Sequence, residues 1–455
     1  MVAVPSLRPR GALAMSTSVT VACGAGFAGD RIEPAVDLAS SNEIDAVVLE
    51  CLAERTMVAG LLARAHQPGT GYDPRLQRRL SPLLPILAGR RCVVITNMGS
   101  ANPRAAAAET ARLAREMGLE GLRIAAVVGD DVADKEALVA WQNPSIPDAG
   151  GQWLGVHAYL GFQPIVEALW QGADVVITGR TADSALFAAP VVAALGSDAP
   201  VLATALTIGH LLECGGQLTG GNLADGRSPG LTGADYAGLG YPWARVNNDG
   251  TAEVGVLDGK PARLDPLTCT LQLLYEVHDP SAYITPDAIL DLTGVRFQQI
   301  GPNRTLVTGF SASARPDQLK AVGFRRSPGC IADVEISYVG HGCHERARVA
   351  AETMELRLGM LPGVLEHRFD LVGVNSVLGI GEDHDDTSAE VRLHVGAKCS
   401  GDMHAQSVED EVYALTLSGP AGGCAIRSER RPLISVESGL IGRDSITTSL
   451  HWFTS

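Results

Sequence analysis

With 455 residues, 46% of them hydrophobic, the chain has material for two or three cores, and it lacks an apolar run near the ~18 residues of a membrane-spanning helix. Its formal net charge of −15 argues against duplex nucleic acid or an anionic membrane as partner, so an anionic substrate would need local arginines or amides. Nine scattered cysteines, none in a C-x-x-C pair, argue against a thiolate zinc knuckle and fit a reducing compartment, with the cytoplasm as the expected location.

Residues 1–16 carry Arg8 and Arg10 without an apolar h-region, so they are read as a disordered extension rather than a secretory signal, with Met15 a candidate start. The first strand, Val19–Cys23, breaks into Gly24-Ala-Gly26-Phe-Ala-Gly29-Asp30-Arg31. Gly24, Gly26 and Gly29 lack the Cβ atoms that keep a ligand off the backbone, and their amides are candidate substrate-binding groups for an anionic or carbonyl oxygen. The spacing satisfies G-x-G-x-x-G, and Glu50 lies about 20 residues on, so a dinucleotide site stays open. Asp30 disfavours it, because its charge would crowd a pyrophosphate; no G-x-x-x-x-G-K-[ST] is present either.

Apolar runs at Ala46–Leu49, Cys92–Thr96, Arg123–Val128 and Asp174–Thr178 continue a series of buried strands. Asn102-Pro103 caps a helix running to Met117. The expected fold is α/β, an open mostly parallel sheet with helices on both faces. Carboxyl ends of such strands line one crevice. That places Glu50, Glu54 and Arg55, then Asn97, Gly99 and Asn102, then Asp130, and then Arg180 and Asp183 beside the first glycine turn. Helix capping is the alternative for each segment taken singly.

Farther along, His210 and Glu213 stand at i, i+3 on one helical face, suited to a divalent metal or to acid–base work, and Cys214 adds a thiol. A capped helix end with a satisfied histidine is the other reading. Tyr241–Gly250 is expected as an edge strand with a turn at Asp249-Gly250, and Leu271–Pro280 as a helix stopped by its proline. Glu276, His278 and Asp279 suit either chemistry or a helix rim.

In order, the motifs Gly24-x-Gly-Phe-x-Gly-Asp-Arg31, Glu50-x-Leu-Ala-Glu-Arg-Thr56, Gly71-Tyr-Asp-Pro74, Thr96-Asn-x-Gly99, Gly129-Asp-Asp131, Thr178-Gly-Arg180, Gly209-His-Leu-Leu-Glu213 and Thr219-Gly-Gly221 resemble the acyclic terpene utilisation family, AtuA. The likeness runs from about Val19 to the end. It implies a large α/β domain, set here at 17–360, then a small ferredoxin-like α+β domain at 366–455. It also implies the company of acyl-CoA carboxylases and enoyl-CoA hydratases. One departure is the missing Lys-Pro-x-Gly-Thr-Gly-Gly run after Gly250; Val254–Arg263 holds a single Lys260.

The C-terminal strands Asp370–Asn375, Ser388–Val395 and Leu433–Glu437, with a helix over Ala405–Thr416, give the β-β-α-β order of half such a fold. Ser418–Cys424 is either a loop closing on the crevice or a connector. In the crevice, Asp30, Glu50, Glu54, Asp183, His210 and Glu213 are the candidate catalytic groups, and Arg31, Arg55 and Arg180 the anchors. The expected function is a lyase or hydratase acting on an acyl-CoA or small organic acid, with CoA as part of the substrate and the glycine amides as oxyanion hole. A metal-assisted hydrolase at His210 and Glu213 and an accessory subunit of a carboxylase or hydratase are the alternatives. A homo-oligomer is expected.

Overall fold

The computed structural model describes residues 17–89, 92–142, 151–223, 230–377 and 389–455; the extension read at 1–16 lies outside them. The chain forms two compact units. One takes the residues up to Asn143, Leu154–Gly323 and Glu437–Ser455; the other takes Pro144–Trp153 and Phe324–Val436.

The first unit opens with β1 (Ser18–Ala25), α1 (Glu33–Ser40), β2 (Ala46–Leu49), α2 (Glu54–His66), α3 (Leu76–Leu80), α4 (Leu84–Gly89), β3 (Val93–Thr96), α5 (Pro103–Glu116) and β4 (Arg123–Val128). Then come β5 (Ala140–Gln142), β6 (Gln152–Ala158), α6 (Gln163–Trp170), β7 (Val175–Thr178), α7 (Asp183–Leu195) and α8 (Ala199–Leu212). A short α9 (Gly233–Ala237) leads to β8 (Pro242–Asn247), β9 (Ala252–Val256), α10 (Pro266–Leu274), β10 (Tyr283–Ile284), β11 (Ile289–Asp291), β12 (Arg296–Gly301), β13 (Arg304–Thr308) and β14 (Ser311–Ser313).

All five strands expected for the parallel core form, in the order β1-β2-β3-β7-β4 with parallel pairing throughout. Their near-continuous Val, Ile and Ala content suits burial on both faces. One face packs α1, α3, α4 and α5 through Leu38, Leu80, Leu84 and Ala107; the other packs α6, α7 and α8 through Ile165, Leu186 and Leu206.

The sheet as a whole is mixed rather than mostly parallel. Beyond β1 it continues through the antiparallel strands β8, β9, β13 and β12. Two of these pairs, β8–β9 and β12–β13, are hairpins after Tyr241, whose short turns can join only antiparallel neighbours. The Asp249-Gly250 turn is one of them, with the Gly250 amide donating to Asn247 O at 3.0 Å. As a result β8 is not an edge strand, for it pairs with β1 on one side and β9 on the other. Pro242 is tolerated because it is the first residue of the strand. Helix α10 also differs from expectation: the Asp265 carboxylate caps it by accepting from Leu267 N and Thr268 N, and it ends at Leu274. Tyr275 turns extended and Glu276 adopts φ 60°, so Pro280 plays no part in the stop.

The second unit is built from β15 (Gln318–Val339), α11 (Cys343–Leu358), β16 (Val364–Val372), β17 (Glu390–Cys399), α12 (Asp402–Ser418) and β18 (Cys424–Gly442). Its strand order, β16-β17-β15-β18, is that of a complete ferredoxin-like βαββαβ fold. Val334, Ile336, Leu393 and Val395 alternate inward onto Ala347, Met354, Val408 and Val412 of the two helices. Besides the Pro144–Trp153 excursion, the division falls at 323/324 and again at 436/437, where the sequence reading set it between 360 and 366. The last strand, β19 (Ser449–Thr454), belongs to the first unit and pairs antiparallel with β4. Within the second unit the Ser418–Cys424 loop is tied down by Arg346 of α11, which donates to the Ala421 carbonyl.

Candidate functional site

At the carboxyl ends of β1, β2 and β7 lies a cleft of about 940 Å³, lined by Glu50, Glu54, Arg180, Asp183, Glu213 and Cys214 among others. Glu50, Glu54, Arg180 and Asp183 reach it just after strands β2 and β7 stop, and Glu213 and Cys214 at the end of α8. Glu50 follows β2 and is nearly buried; its Oε1 accepts from Leu52 N at 2.7 Å and from Asn97 Nδ2 at 2.8 Å. Asn97, the residue after β3, completes that support by accepting Cys51 N at 2.7 Å. Burial lifts Glu50 above the usual carboxylate range, restrained by those donors and by Arg180.

Asp183 begins α7 after β7. Its Oδ1 is buried and has no hydrogen-bond partner in the protein. Burial, reinforced by the Glu50 charge and only partly opposed by Arg180, pushes Asp183 well above the ordinary carboxylate range. Its surroundings thus favour the neutral form more strongly than those of Glu50, whose oxygen is hydrogen-bonded.

Arg180 is 2% exposed and locked from several sides. Its guanidinium donates to Leu52 O, to Tyr159 Oη at 2.9 Å and to Glu54 Oε1 at 3.3 Å, and it lies 4.4 Å over the Tyr159 ring. Tyr159 donates to Glu54 Oε1 at 2.7 Å. Burial alone would raise Glu54, but Arg180 and the Tyr159 hydroxyl outweigh it and hold Glu54 below its usual value. Asp130 acts from behind: its Oδ2 accepts the Arg180 amide at 2.8 Å and faces His157 Nδ1 at 2.9 Å. Gly179 permits this approach, since a Cβ there would sit 2.4 Å from Asp130 Oδ2.

His210 is fully buried, with Nδ1 2.9 Å from Glu213 Oε1 and Nε2 3.1 Å from Leu273 O. Both partners are acceptors, so the doubly protonated ring satisfies both and presents no lone pair to a metal. Burial lowers its pKa, but the Glu213 charge and hydrogen bond outweigh that and leave it raised. The His210–Glu213 pair is accordingly a part-buried hydrogen-bonded pair of which only Glu213 lines the cleft. Among the described residues no group of three or more His, Cys, Asp or Glu side chains is placed to hold a metal. The Cys214 thiol is pushed up to about 12 by burial and Glu213, which removes it as a thiolate nucleophile at neutral pH.

Residues 19–452 match the acyclic terpene utilisation family protein AtuA. The chain belongs to the AtuA family. No curated protein matches it significantly. Among solved structures, a dimeric ferredoxin-like protein of unknown function from Jannaschia sp. CCS1 aligns at 12% identity and a TM-score of 0.17, covering 23% of this chain and all of that one. A protein from Shewanella oneidensis aligns at 8% identity and a TM-score of 0.17, covering 24% of this chain and 97% of that one.

Of the remaining expected site residues of this AtuA-family chain, Gly26 lines the cleft and the others lie outside it. Asp30 is turned into its own loop, accepting from Gly26 N at 2.9 Å, from Arg31 N at 2.9 Å and from the Tyr241 hydroxyl. The Gly26 amide is therefore occupied and unavailable as an oxyanion donor. Gly26 instead permits close packing, because a Cβ there would meet the Cys214 carbonyl carbon at 2.5 Å. Gly24 packs among Val47, Ala35 and Leu49, and Gly29 lies under the Phe27 ring. Arg31 donates to the Tyr236 and Ala237 carbonyls, and Arg55 is exposed on α2. Gly99 packs on Thr178 O and Pro103; Asn102 caps α5 and donates to Pro68 O and Thr70 O. The residues that sequence reasoning missed are Tyr159, Tyr283 and Lys320. Tyr159 follows β6, whose Trp153-Leu-Gly-Val-His157 pattern could have marked a further strand end.

No helix among the described residues is long and apolar enough to cross a membrane.

Proposed function

We propose that this protein is an acyl-thioester enzyme of the lyase or hydratase type, with Asp183 as general acid and Glu50 as general base. The observation that carries this reading is the buried, unpartnered Oδ1 of Asp183, a residue that lines the same cleft as the hydrogen-bonded Glu50. Two carboxyls in unlike surroundings divide into acid and base. In the dehydrating direction, Glu50 takes the proton α to the carbonyl and the electron pair moves toward the thioester. Asp183 then protonates the departing hydroxide as water. The excess of carboxylates over cations in the cleft repels a free organic acid, whereas a thioester carbonyl is neutral, which favours the thioester.

The test is turnover of a panel of branched enoyl- and hydroxyacyl-CoA esters by wild type and Asp183→Asn. The expected loss in kcat/KM is about 10²–10⁴-fold, the usual contribution of a positioned acid. Absent turnover, or turnover equal in the two proteins, overturns the reading. In the former case, recovery of a carboxylase or hydratase with the native chain would favour the accessory-subunit role.

A further inference from the structure

At the other end of the Gly26–Arg31 turn lies a second cavity of about 480 Å³, bounded by Arg31, Arg75, Arg78 and Arg79 with Asp30 and Glu33. Four arginines against two carboxylates is the reverse of the balance in a chain of net charge −15. The carboxylates are also already engaged. Asp30 accepts from two backbone amides and Tyr241, and Glu33 accepts from Ile32 N at 3.2 Å.

Arg79 forms the floor and is 2% exposed. It donates to the carbonyls of Arg31 at 3.1 Å, Ala28 at 3.0 Å and Asp30 at 2.7 Å, while its Nε is buried with no partner. A buried guanidinium N–H without an acceptor costs free energy, and the Arg79 charge beside the cavity favours an anion there. Arg75 and Arg78 stand exposed at the rim, and neither is in an ion pair among the described residues. Arginine forks of this kind suit phosphate oxygens.

We propose that this cavity binds the phosphates of the nucleotide half of a CoA thioester whose acyl end occupies the Glu50–Asp183 cleft, an inference that rests on the thioester reading above. Phe27 lines the catalytic cleft and Gly29 the arginine cavity. Two residues of chain separate them by at most about 7 Å, within reach of a flexible pantetheine arm.

The experiment is calorimetric titration of the full-length protein with adenosine 3′,5′-bisphosphate and, separately, with inorganic phosphate. Arg75→Glu/Arg78→Glu is compared with wild type, and Arg104→Glu, at an exposed arginine outside the cavity, is the control. Expected are bisphosphate binding tighter than phosphate, about tenfold or more weakening in the double variant, and no change in the control. In wild type the bisphosphate should also compete with a CoA thioester but not with the corresponding N-acetylcysteamine thioester. Absent binding, equal affinity for phosphate, or indifference to the double variant overturns the proposal. Thioester turnover without bisphosphate binding would sink this site and leave the enzyme reading standing. Bisphosphate binding without turnover of any thioester would do the opposite.

Discussion

The carboxyl of Asp183 has a buried oxygen with no donor facing it, whereas the buried His210 ring has an acceptor on each nitrogen. Burial disfavours charge at both, and only His210 is compensated. The i, i+3 spacing of His210 and Glu213 was legible in the sequence; the Leu273 carbonyl that closes the ring's other side was not, because it arrives from a helix 63 residues away. Replacing Glu213 by Gln removes the charge that outweighs burial, so the His210 pKa should fall below the ordinary histidine value, as imidazole NMR would show. Since the folded value is raised, the pair's contribution to stability is full below the unfolded histidine value and disappears as pH rises through the folded one. Glu213→Gln should therefore destabilise more at pH 6 than at pH 9. Asp287 gives the opposite case. Burial lifts it to about 6, against the Phe162 amide bond and the Arg443 charge. Below about pH 4 both states are protonated and no penalty arises; the unfolded state ionises first as pH rises, and the penalty is complete above pH 6. Asp287→Asn should stabilise the protein by about 3 kcal/mol at pH 7.5 and hardly at all at pH 4, read by chemical denaturation.

The elements legible in advance are those whose signal is local. The five parallel strands are short apolar runs, and α5 announces itself by Asn102-Pro103, a cap whose Oδ1 accepts Ala105 N at 3.2 Å. Asn102→Ala should lower stability by about 1 kcal/mol, with loss of the Thr70 and Pro68 contacts pushing it toward about 2. What the local signal could not carry is partnership. Nothing within Tyr241–Gly250 says that β9 will cover its outer side, and nothing in the first glycine turn says that its backbone must pack on Cys214 and Gly215. That contact makes Gly26 structural: Gly26→Val should cost about 1–3 kcal/mol in denaturation and reduce kcat by moving Glu213 and Cys214, with far-UV circular dichroism unchanged.

At the scale of the molecule the chain order and the spatial order part company. Linear reading divides the chain once, because a sequence offers one boundary between a strand–helix series and a later β-β-α-β segment. The structure divides it at four places, and at two of them, 323/324 and 436/437, β15 and β18 run unbroken through the change of unit and leave no loop signal. The final strand then covers the edge of β4, with six paired residues from Ser449 to Thr454 and Trp452 stacked under Arg123 at 4.8 Å. An uncovered β4 would offer a row of free backbone donors and acceptors to other chains. A fragment of residues 17–323 should accordingly aggregate, although it contains every candidate catalytic residue. Joining residues 437–455 to it through a flexible linker should restore solubility and a cooperative melt, as light scattering and calorimetry would show. A well-behaved 17–323 fragment would mean that β19 is dispensable, and that the first unit is complete without the strand that follows the ferredoxin-like unit in the chain.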